Sequence, residues 1–262
     1  MTVAHVNGVD LFYEAGGDGD PLVLVHGSWG DHNNWAAVVP SLAESFRVIT
    51  YDRRGHSQSG GSGTTADDVA DLAALIETVA GGTSHVAGNS FGAIVTLKCA
   101  IARPELFRTL SAHEPPLFGL ITSDPAYAPI SERIGGVVRI LEGGDMETGA
   151  KTFVETIAFG PGAWATLPEP VRRTFVSNAA TWLDENKDAG WDAIDLEALS
   201  RFSEPVLLSQ GDQSPPPFTP VMAQLRGALP GAEHHVFAGA GHVPHATHPA
   251  DYVATLTEFA TR

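Results

Sequence analysis

The sequence has a single cysteine and few basic residues, and both shortages limit what the protein can do. Cys99 alone permits no internal disulfide bond, which fits a reducing cytoplasm. The 15 lysines and arginines stand against 31 aspartates and glutamates, and a formal charge of −16 would be repelled by nucleic acids and anionic membranes. No apolar run of about twenty residues is present, and residues 1–14 lack a signal-peptide pattern. We therefore expect a cytoplasmic protein without nucleic-acid or membrane partners.

The order of apolar and polar segments predicts an α/β fold. An Asn7-Gly8 hairpin is followed by two apolar runs, 22–25 and 47–51, of the kind found in strands buried on both faces. Helical patterns alternate with these strands, for example over 34–45, and this rhythm indicates a mostly parallel sheet flanked by helices.

The strand–helix rhythm is interrupted once. Residues 117–203 carry glycine and proline punctuation, helical patterns that include one over 170–183, and much of the aromatic content. We predict a helical insertion there that forms a lid, and assign residues 1–116 and 204–262 to the α/β core.

The pattern Gly88-Asn89-Ser90-Phe91-Gly92 lies between an apolar run and a helical segment. It matches G-x-S-x-G, in which a serine on a sharp strand-to-helix turn exposes its hydroxyl, and the two glycines avoid crowding where the chain reverses. The backbone N–H of Phe91, at the start of the helix, can then stabilise an oxyanion. Ser90 is therefore the candidate nucleophile.

A serine nucleophile needs a base, and His242 is the best placed of the eleven histidines. It follows a predicted strand, and the carboxyl ends of parallel strands are where chemistry gathers in open α/β sheets. The spacing of His242, His245 and His248 invites a metal interpretation, but Pro244 and Pro249 argue against the regular helix that it needs. We predict no metal and no organic cofactor.

Five motifs in this order resemble the α/β-hydrolase superfamily over essentially the whole chain: HGSWG at 26–30, YDRRGHS at 51–57, GNSFG at 88–92, GDQSP at 211–215 and GAGHVPHATHP at 239–249. The resemblance implies an α/β-hydrolase fold with a lid, Ser90 as nucleophile and His242 as base. It also implies an oxyanion hole formed by the backbone N–H groups of Ser28 and Phe91.

The third triad member departs from the commonest family pattern. The usual position of the acid, three residues after Gly211, is Ser214. Two carboxylates remain: Glu114, at the other position known in the family, and Asp212, which is out of step by two residues. We favour Glu114 because it ends an apolar strand, where an unpartnered carboxylate would be costly.

A Ser-His-Glu triad implies cleavage of a carboxylic ester or lactone, and the substrate-wall candidates are Trp29, Trp182 and Pro115. The positions of Glu114, Trp182 and His242 also resemble those of lactonases that open zearalenone-type macrolactones. The same triad would serve a C–C hydrolase, a cofactor-free haloperoxidase-like enzyme or an acyltransferase, and a ligand receptor on this scaffold is a further alternative. The expected partner is a small-molecule ester or lactone, and the residues leave the oligomeric state open.

Overall fold

The computed structural model describes residues 2–262, which form one eight-stranded sheet with the order β1-β2-β4-β3-β5-β6-β7-β8. The first two strands pair antiparallel, β2 pairs antiparallel with β4, and all other neighbours are parallel. The strands are β1 Thr2–Val6, β2 Val9–Gly16, β3 Asp20–Val25, β4 Phe46–Tyr51, β5 Ser84–Asn89, β6 Phe107–His113, β7 Val206–Gly211 and β8 Glu233–Phe237. The predicted, mostly parallel sheet is confirmed.

The helices are α1 Val39–Leu42, α2 Thr65–Leu75, α3 Phe91–Ala102, α4 Tyr127–Glu142, α5 Met146–Phe153, α6 Ala163–Thr166, α7 Glu169–Ser177, α8 Ala179–Lys187, α9 Leu196–Leu199, α10 Phe218–Ala228, α11 Pro244–Thr247 and α12 Pro249–Ala260. Wider π-type turns, Ile76–Ala80 and Val154–Ala158, extend α2 and α5. Within residues 2–262, none of the helices combines the length and apolar character needed to cross a bilayer.

The sheet has an apolar core on each face. Val23 and Val25 of β3 pack into the cluster that also contains the buried side chains of α2 and α3. Leu22 and Leu24 of the same strand pack into the opposite cluster with residues of α1 and α12. Alternate residues of one strand thus serve both faces, which explains why this strand is continuously apolar.

Helices α4–α8 lie between β6 and β7 in the sequence and form the insertion. Their apolar side chains pack on one another and on Trp29 of the core in a third apolar cluster, the insertion cluster. The helix predicted over 170–183 is two helices, because Asn178 lies between α7 and α8 and bonds through its side chain to the Trp29 and Gly30 carbonyls. The helix predicted over 34–45 is also wrong. A short 3-10 turn, His32–Trp35, comes first and α1 is only four residues long.

Candidate active site

Ser90 lies at the turn between β5 and α3 in a backbone conformation that few residues other than glycine adopt, with φ 57° and ψ −127°. Its N–H donates to the His113 carbonyl at 2.9 Å, which ties the turn to the end of β6. Such a conformation costs on the order of 1–3 kcal/mol and persists only where the surrounding structure enforces it. The strain places the Ser90 side chain at the carboxyl edge of the sheet, above the start of α3.

The two glycines of the pattern are required by close backbone packing. A Cβ on Gly92 would lie 2.2 Å from the Val25 carbonyl oxygen, and one on Gly88 would lie 2.5 Å from the Gly92 carbonyl oxygen. Both distances are far below any tolerable contact, and the atoms met are backbone atoms that cannot move aside. Helix α3 can therefore approach the sheet closely enough to form the turn only with glycine at both positions.

His242 and Glu114 come together at the same edge. The Glu114 Oε2 atom lies 2.7 Å from His242 Nδ1, and Glu114 Oε1 accepts a hydrogen bond from the Gly211 N–H at 2.8 Å. The Phe218 ring stacks on the imidazole with centroids 4.5 Å apart, and Asn89 Nδ2 donates to the His242 carbonyl at 3.0 Å. The imidazole is thus held at one nitrogen, along one face and through its backbone, while Nε2 is left for another partner.

Glu114 is fully buried and has the left-handed φ of 44°. Burial acts to raise the pKa of its carboxyl, but the hydrogen bond with His242 and the electrostatic attraction of the neighbouring imidazoles in the pH range where they bind protons outweigh this, and the pKa stays below its ordinary value. At the neighbouring His113 burial has the larger effect. It lowers the pKa of His113 to about 4 despite the attraction of Glu114, so this imidazole is neutral at neutral pH. An ionised carboxylate therefore faces His242 at neutral pH.

Asp212, the alternative acid, lies elsewhere. Its side chain is exposed, and Oδ1 accepts hydrogen bonds from the Gly239 N–H at 2.8 Å and from Gln213 Nε2 at 3.1 Å. Among the described residues Asp212 makes no hydrogen bond to His242. The structure therefore brings Glu114, and not Asp212, to the histidine.

Ser28 and Phe91, the predicted oxyanion-hole residues, lie on either side of Ser90. Gly27, the residue before Ser28, is so close that a Cβ there would come within 2.9 Å of Ser90 Cβ, and Ser28 lines the same cavity as Ser90. Phe91 is the first residue of α3, where the N–H has no partner within the helix. Both predicted residues therefore lie next to Ser90, Ser28 through the Gly27 contact and Phe91 along the chain.

Ser28, Ser90 and His242 open into one cavity that is otherwise mostly apolar. Its remaining lining residues are Phe91, Pro116, Phe118, Ile134, Phe153, Ile157, Ala158, Trp182, Glu185, Asn186, Trp191 and Phe218. The space open to the centre of a water molecule is about 40 Å³, room for only a few small groups.

Two of the three predicted wall residues need correction. Trp182 lines the cavity, but Trp29 is fully buried and stacks among Phe153, Phe175 and Trp182 in the insertion cluster. Pro115 is also buried, and the next residue, Pro116, takes the wall position. The Pro-Pro pair turns the chain away from the sheet, so that only its second member reaches the cavity.

Ligand-type atoms of His113, Glu114 and His242 lie within 4.8 Å of one another, as do those of Asp31, His32 and Asp52. Hydrogen bonds account for most of these atoms without an ion. Both Glu114 oxygens have protein partners, His113 Nδ1 lies 2.9 Å from Ser209 Oγ, and Asp52 accepts from the His32 and Gln58 N–H groups. Neither group offers the open carboxylate positions that a metal ion requires.

The sequence reasoning missed one charged residue of the cavity, Glu185 in α8. It is 8% exposed, pairs with the buried Arg53, and its Oε2 accepts a hydrogen bond from Ser28 Oγ at 2.5 Å. Burial raises the pKa of Glu185, and the Arg53 guanidinium only partly opposes this. Glu185 follows Trp182 by three residues, and this spacing puts both on one helix face. This spacing is the feature of the sequence from which Glu185 could be predicted as a cavity residue.

Comparison with known proteins gives a consistent result. Residues 22–255 match the family model described as the alpha/beta hydrolase family. An uncharacterized hydrolase of Bacillus subtilis, YraK, is 36% identical over 125 residues, which is 45% of this chain and 45% of that protein. The chain likewise matches less than half the length of two further curated relatives.

Two solved structures share the fold over nearly the whole chain. An alpha/beta hydrolase from Sphaerobacter thermophilus has a TM-score of 0.83 at 24% identity, covering 99% of this chain and 100% of the other. The enol-lactonase of Burkholderia xenovorans has a TM-score of 0.82 at 21% identity, with both chains covered completely. At these identities the likeness concerns the fold, and the reaction has to be argued from the site.

Proposed function

Because the chain belongs to the alpha/beta hydrolase family, we propose that it is a serine hydrolase that cleaves a carboxylic ester or lactone through Ser90, His242 and Glu114. The observation that carries the proposal is the 2.7 Å contact between His242 Nδ1 and Glu114 Oε2, in a cavity that Ser90 also lines. That contact occupies Nδ1 and leaves Nε2 as the imidazole nitrogen that can take a proton from a serine.

In the proposed reaction, Ser90 Oγ attacks the substrate carbonyl carbon while its proton passes to His242 Nε2. The carbonyl oxygen becomes an oxyanion that the Ser28 and Phe91 N–H groups stabilise, and the C–O bond to the leaving alcohol breaks as His242 returns the proton. Water then attacks the acyl-enzyme by the same route and restores Ser90. Glu114 holds the imidazole in the required tautomer and stabilises the imidazolium.

Within residues 2–262, the Ser90 hydroxyl and the His242 ring line the same cavity without a hydrogen bond between them. Catalytic hydrogen bonds are commonly long before substrate binds and tighten in the complex, so the separation is compatible with the proposed roles. We also propose that helices α4–α8 act as a lid, because a cavity of this width admits an ester only if its walls move.

The lining favours an uncharged substrate of moderate size. Ten of its side chains are apolar or aromatic, and the charge near the mouth of the oxyanion hole is the negative one of Glu185, which disfavours anionic substrates. Enol-lactonase and carboxylesterase activities are named for proteins of the same fold, and they supply the first compounds to test.

The test is hydrolysis of p-nitrophenyl acetate and butyrate, together with a panel of lactones. We expect Ser90→Ala to lower kcat by about a hundred-thousandfold, because the variant lacks the hydroxyl that forms the proposed acyl-enzyme. Ser45→Ala, at an exposed serine remote from the cavity, is the matched control and should keep full activity. Equal turnover by wild type and Ser90→Ala would exclude the proposed function.

A further inference from the structure

Glu185 is the only acidic residue among the cavity-lining side chains, and it comes from the helical insertion. Its Oε2 atom accepts the hydrogen bond of the Ser28 hydroxyl at 2.5 Å, across 157 positions of sequence. Ser28 also follows Gly27, which lies against Ser90, and lines the same cavity as the serine. One carboxylate of the insertion is therefore attached directly to the loop that forms half of the proposed oxyanion hole.

The second oxygen of Glu185 leads to the other half. Glu185 Oε1 pairs with Arg53, which is completely buried, bonds Asp68 Oδ2 at 2.8 Å, and lies with its guanidinium carbon 4.7 Å from the centre of the Phe91 ring. Phe91 supplies the other proposed oxyanion donor. The cluster of Asp68, Arg53 and Glu185 thus contacts both Ser28 and Phe91.

Anchoring of the insertion is already provided for by a different residue. Asn178, at the start of α8, donates to the Trp29 and Gly30 carbonyls and accepts from the Ser57 N–H at 3.0 Å. These bonds hold the helix to the core without any contribution from Glu185. A buried carboxylate that merely fastened the same helix would add desolvation cost for little gain.

We propose that Glu185 is a positioning residue for the oxyanion hole, which it fixes through the Ser28 hydroxyl on one side and through Arg53 and Phe91 on the other. The inference rests on the proposed function of the site. It assigns the insertion a part in transition-state stabilisation in addition to covering the cavity. Oxyanion donors act through their placement, and a displacement of an ångström costs about a hundredfold in rate.

The experiment compares Glu185→Gln with Asp184→Asn, the same change of charge at the adjacent, exposed position. We expect Glu185→Gln to lower kcat on p-nitrophenyl butyrate about ten- to hundredfold while KM changes less than about twofold. Affinity for a trifluoromethyl ketone, which forms an oxyanion on Ser90, should fall in parallel with kcat, whereas affinity for 1-butanol should stay unchanged. A change in KM alone, or equal kcat values for Glu185→Gln and wild type, would overturn the proposal.

Ser28→Ala breaks the contact from the other side and leaves the Arg53–Glu185 pair in place, so it tests the same link where Glu185→Gln unfolds. If the carboxylate acts through the hydroxyl, the double variant should lose little more than the worse single variant, and multiplied losses would argue against the link. The rate at which a fluorophosphonate labels Ser90, read by intact mass, needs no ester substrate. An unaltered labelling rate in Glu185→Gln therefore overturns this inference alone, whereas equal ester turnover by wild type and Ser90→Ala overturns the proposed function and this inference with it.

Discussion

Two buried glutamates contact residues that line the cavity, Glu114 from the carboxyl edge of the sheet and Glu185 from the insertion, and their surroundings differ. Glu114 accepts from a backbone N–H and from His242, and its pKa is held below the ordinary value. Glu185 pairs with Arg53, and burial raises its pKa. The first carboxylate is placed to stay ionised beside a base. The second shares one guanidinium with Asp68, whose pKa burial raises to about 7.

The difference between the two carboxylates supports separate roles for the core and the insertion in the proposed reaction. The core brings together Ser90, His242 and Glu114 from strand ends whose relative positions the parallel sheet determines. The insertion supplies cavity walls and one carboxylate that contacts the oxyanion loop. Substitutions in the core should therefore change the rate on every ester alike, and those in the insertion should depend on the substrate or on the oxyanion.

Among the variants that test this division between core and insertion, we expect Glu114→Gln to have the largest effect on kcat. The amide cannot hold the imidazole in the tautomer that accepts a proton from Ser90, so kcat should fall by about a thousand- to ten-thousandfold on short and long esters alike. The measurement is kcat per folded molecule, with thermal unfolding recorded first. The matched control is Glu44→Gln, at an exposed glutamate, which should behave as wild type. A loss of kcat confined to esters of one acyl length would contradict the proposed division between core and insertion.

The acid response should belong to the core, because residues 117–203 contain no histidine. Burial lowers the pKa of His245 to about 3 and that of His113 to about 4. Below pH 6.5 these histidines bind protons in the unfolded chain but not in the folded protein, and this difference favours unfolding. The free energy of unfolding is therefore unaffected by them above pH 6.5 and decreases as the pH falls.

His245→Phe keeps the aromatic packing on Trp35 and removes one of these titrating groups. Between pH 6.5 and 5 the free energy of unfolding should fall by about 2 kcal/mol less in the variant than in wild type, as measured by urea denaturation at each pH. The buried Asp68 acts in the opposite direction, but equally in both proteins, so the difference isolates His245. Parallel pH dependences would contradict the assignment.

Much of the core could be predicted from the sequence because its positions follow from topology. Ser90 and Glu114 come directly after recognisable strands, and His242 lies in the loop that follows another. Parallel strands bring such residues to one edge of the sheet. Glu114 could be preferred to Asp212 because a carboxylate that ends a buried strand needs a partner. In the structure that partner is His242.

The insertion could not be predicted to the same depth. Which face of α8 meets the core depends on how five helices pack, and no local pattern contains that information. Trp29 illustrates the problem, since its motif placed it near the oxyanion loop while its side chain packs away from the cavity, into the insertion. Glu185 was missed because a glutamate in a helix is ordinarily a surface residue.

The insertion's part in substrate choice can be tested at Trp182. Trp182→Phe widens the cavity, so the rate on octanoate relative to acetate esters should rise about tenfold, the selectivity that a change of pocket size commonly gives. Trp164→Phe makes the same change in the same apolar cluster, at a side chain outside the cavity lining, and should leave the ratio unaltered. An equal shift in both variants would mean that looser packing of helices α4–α8 in general, and not the cavity wall, controls selectivity.

The smallest effect is expected at Asp212, the other strand-end carboxylate. Its Oδ1 accepts from the Gly239 N–H, and an asparagine can keep that hydrogen bond because its amide oxygen replaces the carboxylate oxygen. Asp212→Asn should therefore change kcat about twofold or less, the rate equivalent of an ordinary surface substitution. Steady-state kinetics on p-nitrophenyl butyrate, run beside Glu114→Gln, make the measurement. Comparable losses in the two variants would mean that both carboxylates support His242, and a larger loss at Asp212 would transfer the role of acid to the β7 end, where the commoner arrangement in this family has it.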